Sequence, residues 1–249
     1  MFLDFEKIEN VRDLGGMLRL DGTRIRPGVL YRTGKLEHAT DADIARLTEL
    51  GIRHVIDFRD AGEIASAPDR TIPGAEYHSI PALPNLAENF RPVDDPTYTA
   101  QDVHDDFRRI YRYLAQSPES IGAYAEFFRI LLASDGAPVL WHCTQGKDRT
   151  GVAALLLLTA LGVDGESIRR DYLLTNEYTG RILDRFAAMD EPPFSMDIAK
   201  EVFLVYEENL RFYQNCVELE YGSVMNFLEI ALGVGPDEIE TLERYYLED

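Results

Sequence analysis

The stretch Ala137-Pro138-Val139-Leu140-Trp141-His142-Cys143-Thr144-Gln145-Gly146-Lys147-Asp148-Arg149-Thr150-Gly151, continued by the apolar run Val152 to Leu158, decides how this chain is read. An apolar strand delivers a cysteine to a tight loop that ends in arginine at the start of a buried helix. Such a loop turns successive backbone N–H groups inward, and the helix adds its positive N-terminal end. Together they make a cradle for a tetrahedral oxyanion. Arg149 contributes a planar fork that pairs two oxygens at once. The same field acts on Cys143 and favours its thiolate, the form that attacks electrophiles. A buried structural thiol at Cys143 is the plain alternative.

Outward from this stretch, runs of β-branched and aromatic residues predict strands at Gly28 to Arg32, His54 to Phe58, Ala75 to Ile80 and Val139 to His142. Helices fall between them. Thr40 and Asp43 read as a capping box and Gly51 as the residue that ends that helix. Val103, Phe107, Ile110, Tyr111 and Leu114 mark a second helix, and Ser117-Pro118 opens a third that buries Ile121, Tyr124, Phe128 and Leu131. Residues 68 to 96 hold six of the twelve prolines and read as an irregular excursion. From residue 150 onward the pattern predicts helices near 150–161, 164–175, 178–189, 197–216, 222–233 and 236–247. The sum is an α/β fold, a short central sheet flanked by helices, in one domain over residues 1–249.

Of the 249 residues, 25 are Lys or Arg and 44 are Asp or Glu, a net charge of −19. That field repels nucleic acids and anionic membranes at long range, so any anionic substrate is bound by a few cations and amides at short range. No apolar run reaches the ~20 residues of a membrane span. The first residues lack a basic leader and an apolar core, which makes a cytoplasmic location the expectation, with a leaderless route out of the cell left open. Two cysteines, Cys143 and Cys216, are too few for a disulfide framework. With no C-x-x-C or H-E-x-x-H, chemistry without metal or cofactor is expected.

Cys143-x-x-Gly146-Lys147-Asp148-Arg149-Thr150-Gly151 matches C-x5-R-[ST], and here the chain resembles the cysteine-dependent protein tyrosine phosphatase superfamily. The fuller His-Cys-x-x-Gly-Lys-Asp-Arg-Thr-Gly is similar to its atypical bacterial branch, whose members have dual or triple specificity and in several cases act on phosphoinositides. Asn10 to Gly16, Arg26 to Gly34, Val55 to Asp60 with Glu63, and Tyr172 to Asn176 also agree, so the likeness spans residues 10 to 176. It implies a phosphatase-like fold with its core over about 1–176 and extra C-terminal helices over about 177–249, placed as a lid in some members. The stretch 186–213 is unusually rich in large apolar residues; a mobile cover and an ordinary core face are both open.

The resemblance implies that Cys143 attacks phosphorus, that Arg149 and the loop residues Thr144, Gln145, Gly146 and Lys147 hold the phosphoryl oxygens, and that Thr150 donates to the leaving sulfur. His142 is implied to orient the loop. Asp57 and Arg59, with Arg32, Asp13 and Glu63, read as a polar network behind it. The leaving group needs an acid, and no Trp-Pro-Asp occurs. Asp148 is the family-consistent candidate; Asp94, Asp95, Asp102, Asp105 and Asp106 are its rivals. An ammonium at Lys147 favours substrates with further negative charge. The expected reaction is phosphomonoester hydrolysis on protein phosphotyrosine with possible dual specificity. The alternatives are a phosphoinositide or inositol phosphate substrate, a sulfurtransferase, and a phosphate-binding interaction module. Cys216 reads as a buried small hydrophobe rather than a resolving thiol.

Overall fold

The computed structural model describes residues 2–85, 95 and 97–248. Five strands form one sheet in the order β1-β2-β5-β3-β4, with β1 at Arg12–Asp13, β2 at Leu30–Thr33, β3 at His54–Asp57, β4 at Glu76–Ser79 and β5 at Val139–His142. Only β1 runs antiparallel to its neighbour, β2. Parallel pairing demands crossovers, and helices supply them: α1 at Asp41–Glu49, α2 at Ala61–Ser66, and α3 and α4 at Ala100–Gln116 and Pro118–Ala133. The predicted caps are present: Thr40 and Asp43 form a capping box, and Ser117 accepts from Ser120 ahead of Pro118.

β5 lies at the centre, and its alternation explains both layers of the core. Leu140, with Tyr31 and Val55, faces α1 through Ile44 and Leu47. Val139 and Trp141, with Leu30 and Ile56, face the opposite way onto Tyr124, Phe127 and Leu131 of α4. Beyond the loop comes α5, Asp148–Ala160, with Val152 to Leu158 buried on every side, as a helix at the middle of a core requires. His142 pairs with Thr33 on one side and Asp57 on the other, so Cys143 leaves the sheet at its carboxyl edge between two parallel strands. That edge is where open α/β sheets hold ligands.

The C-terminal part is helical, but its divisions differ from the sequence pattern. The two helices expected at 164–175 and 178–189 are one helix, α6, Gly165–Ala187. The single helix expected over 197–216 is two, α7 at Met196–Phe203 and α8 at Glu207–Tyr221. Asn176 is the reason: its amide donates to the Val205 carbonyl at 2.9 Å and accepts from the Val205 N–H at 2.8 Å, holding residues 204–206 extended. Helices α9, Val224–Ile230, and α10, Pro236–Tyr246, close the chain. Two further elements escaped the sequence pattern, the two-residue β1 and the six-residue α2. Among the described residues no helix is long and apolar enough to cross a membrane.

Candidate active site

Between β5 and α5 the chain makes the Cys143–Arg149 loop, and glycine is mandatory inside it. Gly146 has φ +67°, and a Cβ there would sit 2.2 Å from the Thr33 carbonyl oxygen. The loop is held from behind by a buried lattice. Asn10, itself at φ 61°, donates to the carbonyls of Gln145 and Gly146, each at 3.1 Å. Arg32 donates to the Gly146 carbonyl at 2.8 Å. Arg32 and Arg12 both pair with buried Asp171, at 2.6 and 3.1 Å. Two guanidiniums around one carboxylate leave the lattice cationic, and its carbonyl contacts tie two loop residues to the sheet.

The loop opens into a cavity of about 190 Å³ lined by Cys143, Thr144, Gln145, Lys147, Asp148 and Arg149. Glu63, Leu83, Phe107, Ile110 and Val202 complete its walls. Arg149 is buried and presents Nη1 and Nη2 to the two carboxylate oxygens of Glu63, at 2.5 and 2.8 Å. Burial alone would raise the Glu63 pKa, but the Arg149 contacts and the Thr144 hydroxyl outweigh it and hold the carboxyl below its usual range. Glu63 therefore fixes the plane of the guanidinium.

Asp148 accepts from the Tyr111 hydroxyl at 2.8 Å, and Tyr111 in turn pairs with the Tyr172 hydroxyl at 2.6 Å. Among the rival acids, Asp94 lies outside the described residues. Asp95 accepts from Thr97, Asp102 closes a capping box with Thr99, Asp105 accepts from Gln101, and Asp106 takes Tyr98 and Arg109. None of these four lines the cavity; Asp148 does.

Lys147 lines the cavity but is only 2 % exposed, and its ammonium is taken up by protein groups. It donates to the carbonyls of Val202 and Leu204 at the end of α7 and sits 4.4 Å from the centre of the Phe107 ring. Burial pulls its pKa below the usual lysine value, against the pull of nearby Asp148. Thr150 Oγ1 is buried and has no hydrogen-bond partner among the described residues.

Behind the nucleophile position, His142 Nδ1 lies 3.2 Å from the Cys143 carbonyl oxygen and Nε2 lies 3.1 Å from Asp69. Burial would depress the imidazole pKa, yet Asp57 and Asp69 override it and raise it. Asp57 is chelated by Arg59 and by Tyr77 Oη at 2.6 Å. Although burial opposes ionisation, His142, Arg59 and Tyr77 bring the Asp57 pKa down to about 2. Arg59 also donates to Asp69 at 2.7 Å, so one guanidinium bridges the two buried carboxylates beside the imidazole. Cys216 is buried in α8, where burial raises its thiol pKa.

The structure thus gathers Cys143, Thr144, Gln145, Lys147, Asp148 and Arg149 at one cavity, with His142, Asp57 and Arg59 behind it. Sequence reading left Asn10, Asp69, Tyr111 and Asp171 without individual roles, because buried polar residues betray themselves only through partners that are distant in sequence. Glu63 was placed in the rear network but reaches Arg149 itself.

A model of the tyrosine phosphatase family matches residues 3–248. The chain belongs to the tyrosine phosphatase family. As a member of that family it is a hydrolase of phosphomonoesters. A Cupriavidus necator protein that carries the name of a tyrosine-protein phosphatase is 35% identical, over 98% of this chain and 88% of the relative. The triple specificity protein phosphatase PtpB of Mycobacterium tuberculosis is 31% identical, over 84% of this chain and 87% of the relative. A tyrosine-protein phosphatase of Nostoc commune is 31% identical over 63% of this chain and 51% of its own length.

Proposed function

We propose that this tyrosine phosphatase works through a cysteinyl-phosphate formed on Cys143, with protein phosphotyrosine as its substrate. One observation carries the reading: a cysteine, a pre-aligned arginine and a carboxyl group line the same cavity at the carboxyl edge of the central strand. The Cys143 thiolate attacks phosphorus in line, while Arg149 and the amides of residues 144–149 take the equatorial oxygens. Asp148 gives its proton to the departing phenolate and then accepts one from the water that cleaves the sulfur–phosphorus bond. The Thr150 hydroxyl, having no partner among the described residues, donates to the sulfur as it leaves. His142 acts from behind, through the Cys143 carbonyl.

Leu83, Phe107, Ile110 and Val202 give the cavity an apolar collar suited to a phenyl ring above a phosphate. Specificity wider than phosphotyrosine has as its support the name of the Mycobacterium tuberculosis relative, a triple specificity protein phosphatase. The ammonium of Lys147, which sequence reading offered to extra substrate charge, is engaged with α7 in this conformation. The proposal is tested with p-nitrophenyl phosphate and a phosphotyrosine peptide in the presence of chelator. Turnover is expected to be blocked by vanadate and to fall at least ~10³-fold in Cys143→Ser. Retained turnover in that variant would overturn the assignment.

A further inference from the structure

A second group of basic side chains lies beside the Cys143–Arg149 loop and has no part in the chemistry above. Lys7, Lys35, His38 and Arg185 line a groove of about 500 Å³ together with Glu9 and Thr144. Thr144 lines the catalytic cavity as well, so the groove begins where the phosphorylated side chain ends. The junction is fixed by main chain, since Lys35 N–H donates to the Thr144 carbonyl at 3.1 Å and Gly34 N–H to the Glu9 carbonyl at 2.9 Å. In a chain with 44 acidic residues and only four lysines, two of the four stand here.

The carboxylate beside Arg185 does not cancel it firmly, whereas Lys35 is held by a half-buried pair. Lys35 pairs with Glu37 at 2.6 Å and Arg185 with Glu9 at 3.3 Å, the latter pair exposed on both sides. Exposed pairs of this kind contribute little and yield to a competing anion. Lys7 is exposed and makes no ion pair among the described residues. Away from the loop, Lys7, Glu9 and Arg185 continue into a second groove of about 470 Å³, where Arg181 sits with Glu6 and Asp184 beside the apolar Phe5 and Ile8. The path is basic at the catalytic end, and of mixed charge and partly apolar beyond.

We propose that this groove binds an acidic segment of the protein substrate, next in sequence to the phosphorylated residue. The inference rests on the phosphotyrosine reading above and adds its sequence preference. Carboxylates, or a second phosphate, match the cations nearest Thr144, and an extended chain at ~3.3 Å per residue follows the path to Arg181. An anionic bilayer suits the site less well, because the whole-chain charge of −19 repels its surface.

Two phosphotyrosine peptides, flanked by Asp and Glu or by Asn and Gln, separate the possibilities when compared on the wild type and on the Lys7→Ala/Arg185→Ala double variant. Wild type is expected to favour the acidic peptide by about tenfold in kcat/KM, and the double variant to lose most of that preference. Equal rates on both peptides, or a preference that survives in the variant, would overturn the proposal. So would the absence of a preference combined with variant-sensitive binding to vesicles of phosphatidylinositol 4-phosphate, which would assign the groove to a membrane. Hydrolysis of p-nitrophenyl phosphate, which does not reach the groove, is measured alongside: its failure in wild type would count against the phosphatase mechanism, not against the groove.

Discussion

Arg149 enters the cavity with its guanidinium plane set by Glu63, and the cost of orienting a long side chain is met during folding rather than at each turnover. Glu63→Gln keeps the shape and removes the charge. Its kcat on an aryl phosphate is expected to fall by about 10²-fold with a smaller change in KM, because a misplaced guanidinium harms the transition state most. An unchanged kcat would show that Arg149 aligns without it. For Asp148, replacement by Asn should slow substrates with poor leaving groups far more than activated ones. A uniform loss across a series of aryl phosphates would remove it from proton transfer.

Asp57 belongs to the same scale. Its pKa is about 2 in the fold against an ordinary carboxylate value near 3.8. A lowered folded-state pKa means stability that is present above the ordinary value and lost as the pH falls toward the lowered one. The term amounts to about 2 kcal/mol. Acid unfolding is therefore expected to lose this contribution between about pH 4 and pH 2, and Asp57→Asn should flatten that limb in a pH series of urea titrations.

At the scale of elements, α7 is joined to the catalytic loop by Lys147, whose ammonium meets the carbonyls at the helix C-terminus, the negative end of its dipole. Ile198 packs with Tyr98 and Val103 of the neighbouring region, and Phe194 stacks on Phe186 at 5.0 Å between ring centres. Val202, in the same helix, lines the cavity, so α7 supplies part of its wall. Lys147→Met is expected to lower the local opening free energy of residues 196–203 by about 1–3 kcal/mol, read as faster amide exchange there with the central strand unaffected. Unaltered protection of 196–203 would mean that apolar packing alone holds α7.

Charge acts at the scale of the whole molecule. A chain at −19 slows the approach of a small dianionic substrate, and salt screens that repulsion over about 10 Å at 0.1 M. With p-nitrophenyl phosphate, kcat/KM is expected to rise between 20 and 200 mM salt, about two- to fivefold, before site-level screening reverses it. A monotonic fall would show that the local cations dominate encounter from the outset.

The sequence by itself determined the central strand, the loop after it and the identity of Cys143 and Arg149. Those rest on short-range patterns: alternation along β5, an apolar run wide enough to bury α5 on all sides, and a fixed cysteine-to-arginine spacing. It also placed the early helices, because their caps are local. Only the tertiary structure decided the partners of the buried charges and the break between α7 and α8. Asn176 opens the chain at Val205 across 29 residues, Asp69 reaches His142 across the sheet, and Lys147 turns inward to α7. Hydrogen bonds and ion pairs between distant segments leave no period in the sequence, since what selects them is the desolvation each polar group suffers once the core closes around it.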